Sequence, residues 1–185
     1  MAAAGRETEI KLPFPSAAEA ARSLLSIGAR LLRGRELEDN VVYDSPSGDL
    51  RRGDRLLRLR RAGGVAILTY KEPVEGGFRH KVREEHETRI EDAGVVERIL
   101  EALGLVPWYR YQKYRSVFEI GGLEASVDET PLGCFVELEG EDAAIDRIAS
   151  ALGFGPERYV VATYRQLHEE AAAAGRIEPG DLVFP

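Results

Sequence analysis

With one cysteine in 185 residues, Cys134, the chain can form neither an intramolecular disulfide nor a cysteine-rich zinc site. This usage fits a reducing compartment, and the lone thiol reads as a small buried hydrophobe. Histidine is scarce as well. His80, His86 and His168 show no His-x-x-x-His spacing, which excludes a zincin-type helix. No apolar run approaches the roughly 18 residues of a membrane span, and "MAAAGRETEI" lacks the apolar stretch of a signal peptide. The expectation is a cytoplasmic protein with no membrane partner. An excess of positive charge is missing too: the formal net charge of -7 argues against a general nucleic-acid binder.

What is present is an ordinary globular composition, 44% hydrophobic and 31% charged. The length suits one domain, expected over residues 1–175, with "RIEPGDLVFP" at 176–185 as a loosely held tail. One pattern recurs three times: a strand carrying Glu-x-Glu, a polar helix start, and an amphipathic helix closed by glycine. Glu7 and Glu9 precede "SAAEAARSLLSIG", where Ser16 and Glu19 have capping-box spacing and Gly28 is the stop. Glu85 and Glu87 precede a helix expected between Asp92 as N-cap and Gly104. Glu137 and Glu139 precede one between Asp142 and Gly153. The unequal spacing excludes a solenoid. "TYRQLHEEAAAAG" reads as a last helix capped by Thr163 and Gln166.

Between these units, "NVVYD", "RLLRLRRAG", "VAILTYKEP", "RYQKYRSVFEI" and "EASVDE" have strand character, separated by breaks such as "AGG", "VEGG" and "IGG". About eight strands are expected. Successive strand side chains point to opposite faces. Glu7, Glu9 and Lys11 therefore oppose Thr8, Ile10 and Leu12. Arg58 and Arg60 oppose Leu57 and Leu59, Thr69 and Lys71 oppose Leu68 and Tyr70, and Lys81, Arg83, Glu85 and Glu87 align. Lys113 and Arg115 oppose Tyr114, Ser116 and Phe118; Asp128 ends its strand; Glu137 and Glu139 oppose Val136 and Leu138. His80 and His86 fall on the parity opposite the glutamates and are expected to face outward. Tyr43 and Asp44 read as a strand end entering a turn.

A charged sheet face can be a solvated face of an ordinary sheet. Here the amphipathic helices need the apolar face, and a sheet of this size tends to close, which removes its edges. Closure gathers the charges in a lumen. A dry lumen is excluded: each unpaired buried charge costs several kcal/mol, and about a dozen exceed the roughly 5–15 kcal/mol stability of a domain. The interior is expected to be wet and to hold ions. Carboxylate clusters suit Mg²⁺ or Mn²⁺, and an Arg and Lys ring suits phosphate oxygens.

"ETEIK" at 7–11 resembles the Glu-x-Glu-x-Lys signature of the CYTH superfamily, the triphosphate tunnel metalloenzymes that include class IV adenylyl cyclases, thiamine triphosphatases and inorganic triphosphatases. "VVYDSPSGDLRRGDRLLRLR", "LTYKEP", "KVREEHET", "KYRSVF", "SVDETPLGCFVELEG" and "YVVATYRQL" follow in the family's order, so the resemblance spans about residues 6 to 168. It implies an α+β fold, an eight-stranded antiparallel closed β-barrel (tunnel) with flanking helices, as a monomer or homodimer. Carried over by position, Glu7, Glu9, Glu87, Asp128, Glu137 and Glu139 are associated with the metal. Lys11, Arg58, Arg60, Lys71, Arg83, Lys113 and Arg115 hold the triphosphate, with Lys11, Lys71, Lys113 and Arg115 closest to the chemistry. Lys81 and Arg89 read as structural.

"KVREEHET" and "LGCFVELEG" look most like the class IV cyclase branch, which converts ATP to cyclic AMP and pyrophosphate. Hydrolysis of tripolyphosphate, thiamine triphosphate or a nucleoside triphosphate would use the same lumen. A non-catalytic polyphosphate or nucleotide binder would not need both terminal Glu-x-Glu pairs. A nucleic-acid groove is disfavoured by carboxylates that repel a phosphate backbone.

Overall fold

A computed structural model of the chain describes residues 3–74 and 80–185. Eight strands form one closed antiparallel barrel: β1 (Ala3–Phe14), β2 (Arg30–Asp44), β3 (Leu56–Ala62), β4 (Val65–Pro73), β5 (Lys81–Ile90), β6 (Val106–Ile120), β7 (Leu123–Thr130) and β8 (Gly133–Glu139). Their order around the barrel is β1-β5-β4-β3-β2-β6-β7-β8. Closure depends on β1, which pairs β5 from Ala3 to Glu9 and β8 from Glu9 to Phe14, so Glu9 stands where the strand changes partner. Two short turns fix neighbouring registers. Gly63 and Gly64 join β3 to β4, and Gly121 and Gly122 join β6 to β7. All four have positive φ, as a two-residue hairpin of the primed type demands.

The helices are α1 (Ala17–Ser26), α2 (Asp49–Arg52), α3 (Ala93–Ala102), α4 (Asp142–Ala151) and α5 (Tyr164–Ala173). Alternation places Ile10, Leu12, Phe118, Ala125, Val127, Val136 and Leu138 on the barrel's outer face, where they pack with Leu24 of α1 and Ile145 and Ile148 of α4. On another side, Leu100 of α3 covers Leu59 and Tyr43. α5 does something different. Its Tyr164 and Leu167 cluster with Val42, Leu56, Tyr111 and Phe135, inner-face residues at one end of the barrel, so α5 caps the bore.

The local stops and starts follow the sequence with one shift. Ser16 and Asp92 accept from the backbone N–H groups of Glu19 and Val95, and Thr163 with Gln166 completes a capping box. Asp142, by contrast, is the first residue of α4 and not its N-cap; Glu141 holds that place without a side-chain bond. His80, on the outer parity, is buried rather than solvent-exposed. Its ring nitrogens are 3.3 Å from Asp142 and 3.1 Å from Asp146. Outer parity does not mean solvent on this side, because α4 covers it. His86 is exposed, as its parity predicts.

The end of the chain also differs from expectation. Residues beyond α5 are not loose: Leu182 exchanges backbone hydrogen bonds with Arg110 and Gln112 of β6 and is 1% exposed, and Phe184 packs on Tyr114. Of the expected "VEGG" break, residues 75–77 lie outside the described residues. No helix among the described residues is long and apolar enough to cross a membrane.

Candidate active site

The inward positions of the barrel surround a cavity of about 430 Å³. Register explains how the charges sort around it. Glu9 pairs with Glu139 and Lys11 with Glu137 between β1 and β8, while Glu7 lies opposite Arg83 of β5. Across the bore, Glu38 pairs with Lys113, Asn40 with Arg60 and Val42 with Arg58. One wall, from β1 and β8, is mainly carboxylate; the facing wall, from β2, β3 and β6, is mainly cationic.

On the cationic wall, Arg58, Lys113 and Arg115 are all nine-tenths or more buried. Such charges persist only with partners. Asp128, with no exposed surface, supplies several: it accepts from Lys113 at 2.8 Å, from Arg115 at 2.6 Å through both Nε and Nη2, and from the Tyr164 hydroxyl at 2.8 Å. Glu38 lies 3.4 Å from Arg60 and 3.6 Å from Lys113. Desolvation would raise its pKa, but Lys113, Arg115, Arg60 and Arg58 outweigh that and hold it at about 2. Tyr111 accepts from Arg58 at 3.1 Å. Burial would raise its phenol pKa as well, yet Arg58, Lys113 and Arg60 bring it below the usual value. A phenol so perturbed reports a strong positive potential. Among the described residues, Glu38 Oε2 and Arg58 Nε are buried without a hydrogen-bond partner, in keeping with a site shaped for something not of this chain.

The acidic wall is crowded in the opposite sense. Lys11 is 3.3 Å from both Glu9 and Glu137; despite desolvation, these two carboxylates raise its pKa. Lys71 bridges Glu7 at 2.5 Å and Glu85 at 2.9 Å. Glu139 has no cation at ion-pair distance among the described residues. It lines the cavity, and desolvation by the surrounding protein, followed by Glu7, Glu124 and Glu9, pushes its pKa up to about 8, with Lys71 only partly opposing. Glu7 is raised for the same leading reason, burial, although Lys71 works against it.

These contacts divide the residues expected from the sequence. Glu7, Glu9, Glu137 and Glu139 come together on one wall, and Lys11, Arg58, Arg60, Lys71, Arg83, Lys113 and Arg115 line the same cavity. Of the two other carboxylates grouped with the metal, Glu87 lines the same cavity and Asp128 is not among its lining residues. Glu87 accepts from Thr69 and is 3.9 Å from Arg58, and Asp128 lies behind the cationic wall. Arg83, in the lining of the cavity, also binds the backbone and carboxylate of Asp54. Arg89 is exposed, and the Lys81 side chain lies outside the described residues.

Sequence reasoning missed Glu38, Tyr111 and Tyr164. The signal for Glu38 was present in "RELEDNVVYD", where Glu36, Glu38 and Asn40 continue the parity of Val42 and Asp44. Asp44 itself, at a strand end, has a structural role: fully buried, it accepts from the backbone N–H groups of Ser45, Leu50 and Arg51 and so fixes α2. Among the described residues no three acidic, histidine or cysteine side chains form a preassembled metal cage. Glu7, Glu9 and Glu137 are each turned toward a lysine or arginine.

Comparison with known proteins gives consistent matches. Residues 5–153 match the model of the CYTH domain. A Methanocaldococcus jannaschii protein, by its name a candidate adenylate cyclase, is 30% identical over 134 residues, 72% of this chain and 75% of that protein. The solved PH1819 protein of Pyrococcus horikoshii superposes with TM-score 0.75 at 25% identity, covering 89% of this chain and 98% of that one. A Vibrio parahaemolyticus structure, also of a candidate adenylate cyclase, gives 0.73 at 18% identity over 87% and 96%. A Hippeastrum structure gives 0.59 at 19% identity over 94% and 97%, and its description reports a dominant triphosphatase activity for a candidate adenylyl cyclase.

Proposed function

Since the chain belongs to the CYTH domain family, we propose that it is a divalent-metal-dependent enzyme acting on a triphosphate in the barrel, converting ATP to cyclic AMP and pyrophosphate. The observation that carries this reading is the partition of one closed bore into facing carboxylate and cationic walls. Polyphosphate with bound metal is the ligand chemistry that satisfies both. The name of the Methanocaldococcus jannaschii relative supports the cyclase form.

Glu7, Glu9, Glu137 and Glu139 would hold the metal. The fit rests on their chemistry: all are hard oxygen donors, and the pKa of Glu139, raised first by burial and then by Glu7, Glu124 and Glu9, marks a carboxylate that a dication would relieve. When bound, Mg²⁺ or Mn²⁺ supplies charge neutralisation at phosphate oxygens. Arg58, Arg60, Lys113 and Arg115 grip the phosphate chain and stabilise charge on the leaving pyrophosphate, with Asp128, Glu38 and Tyr111 holding their positions. Lys11 and Lys71, between the walls, exchange carboxylate partners for phosphate oxygens. In the cyclase reaction the ribose 3′-oxygen bonds to the α-phosphorus as the bond to the β-phosphate oxygen breaks. The hydroxyl proton passes to a carboxylate of the acidic wall.

Hydrolysis is a second reading, favoured by the activity reported for the Hippeastrum protein. Incubating the purified protein with ATP, tripolyphosphate or thiamine triphosphate, each with Mg²⁺ and with Mn²⁺, separates the two. Cyclic AMP and pyrophosphate from ATP are the expected products. Orthophosphate selects hydrolysis, and no product from any substrate with either metal contradicts both.

A further inference from the structure

Among the described residues, three tyrosines line the bore: Tyr109 and Tyr111 of β6 and Tyr164 of α5. Two have engaged hydroxyls. Tyr164 donates to Asp128 at 2.8 Å, and the Tyr109 oxygen lies 3.2 Å from His168 Nδ1. Burial raises the phenol pKa of both. Tyr111 is different. Arg58 Nη1, 3.1 Å away, can only donate, so the Tyr111 oxygen accepts and its own proton must point elsewhere. Among the described residues no acceptor for that proton stands at hydrogen-bond distance, and the side chain is buried in the cavity wall. The charged groups facing it are Arg58 and Arg60 of β3 and Lys113 of β6. Its other neighbours are uncharged: Tyr109 stacks on the ring, Asn40 of β2 donates to its backbone carbonyl, and Val42, Tyr164 and Leu182 pack around it. Guanidiniums do not release protons in proteins, and Lys113 is tied to Asp128 at 2.8 Å. Tyr111 is thus the neutral proton carrier of the cationic wall.

Resting on the reading of the bore as a triphosphate site, we infer that the Tyr111 hydroxyl is a general acid for the phosphate chain, donating to the bridging oxygen that leaves and protonating it as its bond to phosphorus breaks. The proton ends on the departing phosphate. The electron pair of the O–H bond stays on Tyr111 as a phenolate, which Arg58, Arg60 and Lys113 stabilise. When product leaves, the phenolate takes a proton back from water, and the proton that the nucleophile gave to the acidic wall returns to water, so the cycle balances. The same step serves attack by a ribose hydroxyl or by water. The electrostatics agree with the geometry: burial alone would raise the Tyr111 pKa, but the three cations bring it below the usual phenol value.

Tyr111→Phe keeps the ring and removes the hydroxyl. On whichever triphosphate the wild-type protein turns over with Mg²⁺, kcat should fall about a hundredfold with KM within about threefold. The wild-type loss of kcat at alkaline pH should vanish in this variant. Incorporation of 3-fluorotyrosine at position 111, whose phenol is more acidic, should retain most of the activity at neutral pH and move the alkaline limb to lower pH. A hydroxyl that merely held Arg58 would raise KM on removal and leave the limb unmoved by fluorination. In the protein without substrate or metal, phenolate absorbance should show one group titrating below the others, absent from Tyr111→Phe. An unmoved limb, a kcat within about twofold in Tyr111→Phe, or a titration without such a group overturns the general acid while leaving triphosphate turnover intact. No turnover of any triphosphate by the wild-type protein overturns the reading of the bore as an active site, and the general acid with it.

Discussion

Asp128 shows how one side chain can organise a wall of opposite charge. With no exposed surface and four donor contacts, it lets Lys113 and Arg115 stay charged inside the barrel. Asp128→Asn keeps the shape but leaves two buried cations poorly compensated. It should cost about 3–5 kcal/mol of stability, measured by urea unfolding; a loss below about 1 kcal/mol would mean the cations are compensated elsewhere. Glu137→Gln and Glu9→Gln should instead fold normally and lose at least about a hundredfold in metal-dependent turnover, the scale typical of lost transition-state electrostatics. Full activity in both variants would remove these carboxylates from the site. Glu139 gives a pH signature. Its folded pKa, about 8, lies above the ordinary 4.5. The folded chain therefore holds the extra proton between those values, and stability falls as pH rises through that window. The metal-free melting temperature should drop from pH 6 to pH 9 more steeply in wild type than in Glu139→Gln, and millimolar Mg²⁺ should flatten the wild-type slope. Equal slopes would deny the raised pKa.

At the scale of elements, what the sequence made legible was the alternation. Glu7, Glu9 and Lys11 against Ile10 and Leu12, or Lys113 and Arg115 against Phe118, predict which side of β1 and β6 is wet, because the two-residue period of a strand leaves no other arrangement. Caps at Ser16, Asp92 and Thr163 are equally local and equally readable. The long start of β2 was not: Arg30–Glu38 has too little apolar content to read as a strand and is specified by its ladder with β6. Non-local packing also hid the burial of His80 under α4, the capping role of α5 and the docking of the tail. The tail gives the test. Leu182, 1% exposed against Tyr109 and Tyr111, is expected to cost about 2–5 kcal/mol on replacement by alanine, read from thermal or urea unfolding. A change within about 0.5 kcal/mol would mean the segment contributes nothing to the cap.

For the molecule as a whole, a net charge of -7 and the proposed anionic substrate are compatible because the barrel segregates charge. The cations that matter face inward from β2's neighbours β3 and β6, and the carboxylates of β1 and β8 face them across the bore. Ligand binding should stabilise the fold accordingly. Tripolyphosphate with Mg²⁺ at a hundred times its dissociation constant should add about 2.7 kcal/mol to unfolding. The most direct measurement is anomalous diffraction from crystals soaked with Mn²⁺ and tripolyphosphate. The account predicts a manganese peak among Glu7, Glu9, Glu137 and Glu139, with the phosphate chain running toward Arg58, Lys113 and Arg115. Manganese and phosphate bound on the outer surface, with the bore holding water alone, would contradict it.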